Sequence, residues 1–327
     1  MKALVTGAPG WMGSRLVEDL LAQGRQVRCL VHPAFDAEPL RRAGVDAIAG
    51  DVTRPESLRG LCRGVSTVFH CAGIIHPRRP RLFYEINTEG TRNLALEAVS
   101  GGVRRFIYVS SSSAGAGYSS PRAASESDPP RPFMDYGRSK LLAEAVLESL
   151  QAEGKLESVV LRPHWLYGED GPPRQVRFFQ MIRRGSPLLF GTGENRRSLC
   201  ALRNCVQALL LAETAPRAAG SVYYVADERS YTAAEIYETA AAALGCRIRV
   251  RRLPIPAYDS LAYRGLDRLM QGARFAFPET HLAWDWCKNI ESSIRKARDE
   301  LGYRPSDGLS DAFHRAVAGY RARGIAL

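Results

Sequence analysis

Three evenly spaced glycines, Gly7, Gly10 and Gly13, lie between a short apolar run at residues 2–6 and an amphipathic stretch at residues 14–21. A strand that enters a glycine loop and leaves as a helix can serve few ends. Gly7 permits a tight turn, Gly10 permits close backbone approach to a ligand, and Gly13 lets the helix pack on the strand. The helix N-terminus then presents unpaired N–H groups to a pyrophosphate. The spacing is G-x-x-G-x-x-G, not the commoner G-x-G-x-x-G. The bland alternative is three unrelated loop glycines. Their place after a strand and before a helix argues against it.

The rest of the first half repeats that beginning. Apolar runs recur at residues 27–31, 45–49, 66–70, 104–110 and 157–161, with helical segments between them. Such alternation specifies an α/β chain with a parallel sheet and helices on both faces. After Gly168 the texture changes. Residues 175–184 read as a helix, 222–225 as a strand, 232–244 as a helix opened by a Thr cap, and 311–323 as a last helix. At 327 residues one large domain with a smaller lobe is expected. The division expected is a dinucleotide-binding domain at 1–168, completed by parts of 196–225, and a mainly substrate-binding lobe at 169–327.

Composition narrows the setting. No apolar run is long enough to span a membrane. The amino terminus runs straight into the glycine loop, with no leader pattern. The seven cysteines are scattered, odd in number and without a C-x-x-C pair. Reduced thiols in a cytoplasmic protein are therefore expected. The six histidines show no metal-ligand spacing, so no metal is expected. The formal charge is +11, and arginine supplies nearly all the excess, because lysine occurs only five times. The arginines are dispersed and not interleaved with aromatics, which argues against nucleic acid. Anionic substrates, or peripheral contact with an anionic membrane surface, stay open.

Tyr136 and Lys140 stand four apart at the start of a helical stretch, so both side chains can reach one pocket. A cation beside a phenol favours the phenolate, which suits it to move a proton near neutral pH. The spacing alone is common on solvated helices. At the end of the second apolar run an acidic residue would hold the ribose hydroxyls of NAD. Val31 and His32 occupy that place, and Arg28 and His32 could face a 2′-phosphate. NADP(H) is therefore favoured, with NAD(H) as the alternative.

With these residues assembled, the chain resembles the extended short-chain dehydrogenases/reductases. This family includes nucleotide-sugar epimerases and dehydratases and 3β-hydroxysteroid dehydrogenases. The likeness spans essentially the whole chain. It rests on Thr6-Gly7-x-x-Gly10-x-x-Gly13, Gly50-Asp51-Val52, His70-Cys71-Ala72-Gly73, Asn87-Thr88-Glu89-Gly90-Thr91, the strand ending in Ser110-Ser111-Ser112, the Tyr136/Lys140 pair, Arg162-Pro163, Tyr167-Gly168 and Leu301-Gly302-Tyr303-Arg304-Pro305. The resemblance implies a Rossmann doubly wound parallel sheet with a smaller, mostly helical C-terminal substrate lobe. It implies that Tyr136 is the general acid/base, that Lys140 lowers its pKa and holds the nicotinamide ribose, and that Ser111, or alternatively Ser112 in the same serine run, orients the substrate oxygen. Cofactor contacts are implied at Gly7, Pro9, Gly10, Trp11, Met12, Gly13, Arg28, His32, Asp51, Val52, Cys71, Ala72, Gly73, Pro163 and Trp165, besides Tyr136 and Lys140. Substrate contacts are implied at Ser112, His164 and Arg197. A homodimer through the helices at 84–99 and 139–152 is also implied.

Two reactions compete within that resemblance. One is reduction of a ketone, or oxidation of a secondary alcohol, on a hydrophobic, lipid- or steroid-like substrate. The other is epimerisation or dehydration of a nucleotide sugar with the cofactor recycled in place. Sugar-nucleotide members carry Asn where this chain has Trp165, which favours the reductase. Gly191-Thr192-Gly193-Glu194-Asn195-Arg196-Arg197 keeps the pattern whose arginine meets a nucleotide diphosphate, which favours the epimerase. The aromatic- and arginine-rich residues 255–290 read first as core packing and otherwise as an apolar mouth. A third reading, a non-catalytic cofactor-binding sensor, would have little use for Ser111, Tyr136 and Lys140 together.

Overall fold

The computed structural model describes residues 2–75, 77–116, 122–190, 192–253 and 289–327. Most of the aromatic-rich segment at 255–290 lies outside them. The first half alternates β1 (Lys2–Thr6), α1 (Trp11–Ala22), β2 (Gln26–Val31), α2 (Glu38–Arg42), β3 (Asp46–Ala49), β4 (Val65–His70), α3 (Gly90–Ser100), β5 (Arg105–Val109), α4 (Ser112–Gly115), α5 (Met134–Ala152) and β6 (Glu157–Pro163). There follow β7 (Trp165–Tyr167), α6 (Pro173–Arg183), β8 (Leu188–Phe190), β9 (Arg196–Arg197), β10 (Leu199–Ala201), α7 (Leu202–Thr214), β11 (Ser221–Val225) and β12 (Tyr231–Thr232). The described chain closes with α8 (Ala233–Leu244), β13 (Arg251–Leu253), α9 (Arg295–Leu301) and α10 (Leu309–Ala322).

Seven strands form one sheet in the order β11-β6-β5-β4-β1-β2-β3. Every pairing in it is parallel. The order reverses beside β1, between β1 and β4. In open parallel sheets ligands bind beyond the strand C-termini at such a switch point. Each expected strand is present, and the run at 222–225 returns to the main sheet beside β6. Its strands read as near-continuous apolar runs because both faces are covered. One face buries Leu16, Leu20, Leu209 and Ala297 from α1, α7 and α9. The other buries Leu94, Ala98, Ala143 and Leu147 from α3 and α5.

A second core lies in the lobe, where Phe179 and Ile182 of α6, Ile236 and Ala240 of α8, and Phe313 and Val317 of α10 pack together. Thr232 caps α8 by accepting the Glu235 N–H at 3.1 Å, as its sequence position predicts. The expected helix at 84–99 is divided: Phe83–Glu89 is a π-helical stretch, and α3 follows it. Such widened turns often accompany functional sites. No helix among the described residues is long and apolar enough to cross a membrane.

Candidate active site

The cofactor cradle is shaped by backbone. A Cβ on Gly7 would lie 2.7 Å from the Cys71 carbonyl carbon, and Gly7 has φ +84°. A Cβ on Gly10 or Gly13 would come within 2.6 Å of the Gly7 carbonyl oxygen. All three positions therefore require glycine. Gly10 is the N-cap of α1 and offers no side chain to the first N–H groups of the helix. These groups are left for an anion. Below the loop, Thr6 Oγ1 accepts the Ala72 N–H at 3.2 Å and meets His70 Nδ1 at 2.7 Å. The other nitrogen of His70 meets Thr91 Oγ1 at 3.0 Å. Burial pushes the pKa of His70 down to about 3, so it is a neutral strut holding β1, β4 and α3.

The candidate catalytic group lies on α5. Tyr136 is in its first turn, Lys140 one turn on, and Glu144 a turn further. Burial raises the Tyr136 phenol above its ordinary pKa. A hydrogen bond with Ser111 and the nearby Arg174 guanidinium pull it back. Lys140 Nζ donates to the Val109 carbonyl at 2.9 Å and lies 4.8 Å from the Tyr108 ring centroid. Burial lowers its pKa to about 8. Of the cations around the phenol, Arg174 at the start of α6 lowers its pKa, while Lys140 is bonded to the Val109 carbonyl. The start of α5 is fitted closely to α4, since a Cβ on Gly137 would lie 2.2 Å from the Ser113 carbonyl oxygen.

The serine run separates by role. Ser110 bonds Glu144 beneath the site. Ser111 caps α4, accepting the Ser113 N–H at 3.1 Å, and is the serine that meets Tyr136. Ser112 is buried at the first position of α4. Asn87, from the π-helical stretch, accepts the Ile74 N–H at 2.8 Å and donates to the Ile74 carbonyl at 3.1 Å. This pins the loop through Cys71, Ala72 and Gly73. A Cβ on Gly73 would stand 3.1 Å from Lys140 Nζ, so the loop passes directly over the lysine.

Residues 3–226 match the model of the NAD dependent epimerase/dehydratase family. The chain belongs to that family. It is 36% identical over 332 residues to the uncharacterized protein y4nL of Sinorhizobium fredii, covering 96% of this chain and 93% of that protein. It is 28% identical to a UDP-glucose 4-epimerase of Vibrio cholerae, covering 97% of this chain and 94% of that protein. It is also 28% identical to the 4-hydroxy-2-methyl-3-oxo-4-farnesyl-3,4-dihydroquinoline-1-oxide ketoreductase of Stigmatella aurantiaca, covering 93% and 92%. The fold is that of the UDP-glucose 4-epimerase of Thermotoga maritima, with TM-score 0.81, 23% identity and 99% of each chain covered. As a family member the chain is an enzyme that uses an NAD(P) nucleotide. The cradle fits such a cofactor, because each side chain that would fill the loop is missing and the α1 N–H groups are free of a side-chain cap.

Within this family frame, one expected cofactor contact fails. Arg28 Nε donates to Asp46 at 2.8 Å, and Nη1 donates to the carbonyls of Leu61 at 2.7 Å and Arg63 at 3.2 Å. Arg28 lies three residues before the end of β2, and its partner Asp46 opens β3. Its guanidinium is committed away from the crevice. His32 lies at the strand's end, 3.5 Å from Asp51. Asp51 turns the chain by accepting the Thr53 N–H at 2.9 Å, and Val52 packs against Gly90. Pro9 and Met12 lie in the loop and the first turn of α1, and Pro163 ends β6. Trp165 meets Phe178 of α6 edge-on at 6.1 Å. Its indole is partly buried against the lobe core.

His164 is buried, and its Nε2 has no hydrogen-bond partner among the described residues. Burial and then the Arg197 charge push its pKa down to about 3. Arg197 is buried as well, in β9. Two further residues escaped the sequence reading. Glu144 receives Arg162 through Nε at 3.0 Å and Nη2 at 2.6 Å, locking α5 to β6 one turn on from Lys140. Glu169 accepts the Trp11 indole N–H on its carbonyl at 2.6 Å. Its carboxylate meets Arg15 at 3.1 Å and Arg203 at 2.5 Å, tying α1 and α7 to the loop before the lobe.

Proposed function

We propose that this enzyme interconverts a hydrophobic ketone and its secondary alcohol, with net turnover of NAD(P)(H). The observation that carries the reading is Trp165 and the aromatic cluster of the lobe that it joins. Trp165 stands where sugar-nucleotide members have an amide, and it packs on Phe178, which in turn meets Tyr237 at 6.0 Å and Phe313 at 6.0 Å. An indole offers a sugar hydroxyl no acceptor, but it suits apolar carbon. The curated ketoreductase relative acts on a farnesyl-bearing ring ketone, as its name states.

When bound, the nicotinamide would supply or accept the hydride. In the reducing direction Tyr136 gives its hydroxyl proton to the carbonyl oxygen. Burial keeps that phenol protonated and ready to donate. Ser111, bonded to Tyr136, fixes the oxygen between them. Lys140 reaches the space below Gly73, where the ribose would lie. Ser112 and His164 border the substrate. NADP(H) is favoured on one ground, that Val31-His32 ends β2 without a carboxylate; Arg28 lends no support. Leu96 on α3 is 49% exposed and Leu142 on α5 is 47% exposed, and these helices pack side by side. A homodimer built on them is part of the proposal, and the mass in solution tests it. Peripheral membrane contact and a cytoplasmic setting complete it.

A second reading keeps the nucleotide-sugar epimerase or dehydratase. Arg197 favours it, because it holds the place of the diphosphate-binding arginine. The Vibrio cholerae relative also carries that activity by name.

The deciding experiment follows reduced-nicotinamide absorbance with NADPH or NADH against hydrophobic ketones and against UDP- and GDP-sugars. Net oxidation by a ketone supports the reductase, and the faster cofactor settles the preference. A changed sugar nucleotide without net oxidation overturns it. Tyr136→Phe should lower turnover by at least about a hundredfold while leaving cofactor affinity nearly unchanged. Undiminished turnover would sink the assignment of the acid and the catalytic reading with it.

A further inference from the structure

The lobe carries a row of arginines that the catalytic reading leaves unused. Residues 246–252 run extended beside residues 185–189, joined by Arg249 N–H to the Gly185 carbonyl at 2.7 Å and Arg251 N–H to the Pro187 carbonyl at 3.0 Å. Along this stretch exposure alternates. Cys246, Ile248 and Val250 pack inward on the lobe core, while Arg247, Arg249 and Arg251 are exposed. Arg252 is exposed too, and Arg183 and Arg184 are exposed at the end of α6, one residue before Gly185.

Alternate residues of an extended chain lie about 6.5 Å apart on one face. That is inside the Debye length of about 8 Å at physiological salt, so neighbouring guanidiniums repel. Elsewhere the exposed arginines are commonly paired, as Arg42 is with Glu38 and Arg229 with Glu235. None of these six makes an ion pair or a side-chain hydrogen bond among the described residues. The C-terminal dipole of α6 favours Arg183 and Arg184. Arg247 follows the end of α8, and no helix end lies beside Arg249, Arg251 or Arg252.

We propose that this row is a docking surface for an anionic lipid bilayer. Charge complementarity calls for a partner dense in negative charge. Leu188, 43% exposed, pairs in register with Arg251 and sets an apolar side chain in the middle of the row. A headgroup–acyl boundary accommodates that side chain, and a phosphodiester backbone does not. The row also contains no aromatic residue to stack on bases. The inference rests on the peripheral membrane contact proposed above, and it stands whichever substrate the crevice takes.

The test is co-sedimentation of the full chain with phosphatidylcholine vesicles, with and without phosphatidylglycerol, at low and high salt. Binding should require phosphatidylglycerol and be lost in high salt. Arg247→Ser/Arg249→Ser/Arg251→Ser should weaken it by about a hundredfold, at about fivefold per arginine. Cofactor affinity and melting temperature, unchanged in that variant, show that it is folded. Arg78→Ser/Arg79→Ser, which removes exposed charge elsewhere, should change binding far less. Three results would overturn the proposal: no preference for phosphatidylglycerol, an equal loss per charge in both variants, or duplex DNA bound through the row while vesicles are not. Leu188→Ser, which leaves the charge intact, gives a second check, since it should weaken vesicle binding measurably.

Discussion

Two buried carboxylates hold the two halves of this molecule, and they are held differently. Glu144, on α5 one turn beyond Lys140, faces a guanidinium, with Arg162 bonded to both of its oxygens. Asp227, where β11 leads into the lobe, has only neutral groups bonded to it. Its Oδ1 accepts the Ala201 N–H and the Asn204 amide, each at 2.8 Å. Its Oδ2 accepts the hydroxyls of Tyr167 and, at 3.3 Å, Tyr231. Burial outweighs these four donors and raises Asp227 to about 6. A paired charge makes a rigid platform that depends on its partner. A charge solvated by dipoles makes a junction that depends on pH.

The largest effect should come from breaking the platform. Glu144→Ala leaves Arg162 buried without a counter-charge and takes the acceptor from Ser110. A loss of about 3–5 kcal/mol in denaturant unfolding is expected. A loss below about 1 kcal/mol would show that the pair is not desolvated in solution.

The second effect sharpens the contrast through pH. Asp227 has a folded pKa of about 6 against 3.8 unfolded, so between those values the folded state holds more protons. Stability from this group is therefore highest below about pH 4 and falls as pH rises towards 6, then levels. The span is about 3 kcal/mol at most, taken at about 1.4 kcal/mol per pKa unit. Asp227→Asn should abolish that slope. The quantity to measure is the difference in unfolding free energy between the two proteins at pH 4.5 and pH 7. A pH-independent difference would mean that Asp227 ionises normally.

These two carboxylates also mark how far the sequence could be read. Gly7, Gly10 and Gly13 were legible because close backbone approach excludes every other side chain and leaves a one-letter trace. Tyr136 and Lys140 were legible because one helix carries both, so their spacing is their geometry. Glu144 continues the same face, but a glutamate on a helix is ordinarily a solvated one. Its partner lies on another strand, and the only hint was a charged residue, Arg162, closing the apolar run Val159-Val160-Leu161. Arg28 was misread for the same reason. Its role is decided by the register of β2 on β3, which sets Asp46 beside it, and no local pattern records that register. Arg174 and Trp165 depend on how the lobe closes over the sheet, a long-range fact with no periodicity of its own.

A third prediction removes the platform's charge altogether. Glu144→Leu with Arg162→Met replaces a desolvated pair by apolar volume, and such exchanges are often close to neutral. The double variant should recover most of the stability lost in Glu144→Ala. What should not recover is catalysis, because Ser110 and Tyr224 lose their polar contacts beneath Ser111 and Tyr136. Recovery of both would mean that the platform serves stability alone.

The smallest effect tests the junction from its weakest donor. Tyr231 gives Asp227 its longest hydrogen bond and also accepts the Leu309 N–H at 3.2 Å where α10 begins. Tyr231→Phe keeps the ring in the lobe core and deletes only the hydroxyl. A loss of about 1–2 kcal/mol is expected for the two contacts together. With one donor fewer, the ionised carboxylate is supported less, so the Asp227 pKa should move further up from about 6. The pH at which the stability difference from Asp227→Asn levels off should then rise with it. If the plateau stays where it is while stability falls, Tyr231 acts on α10 alone. Asp227 would then be solvated by Ala201, Asn204 and Tyr167.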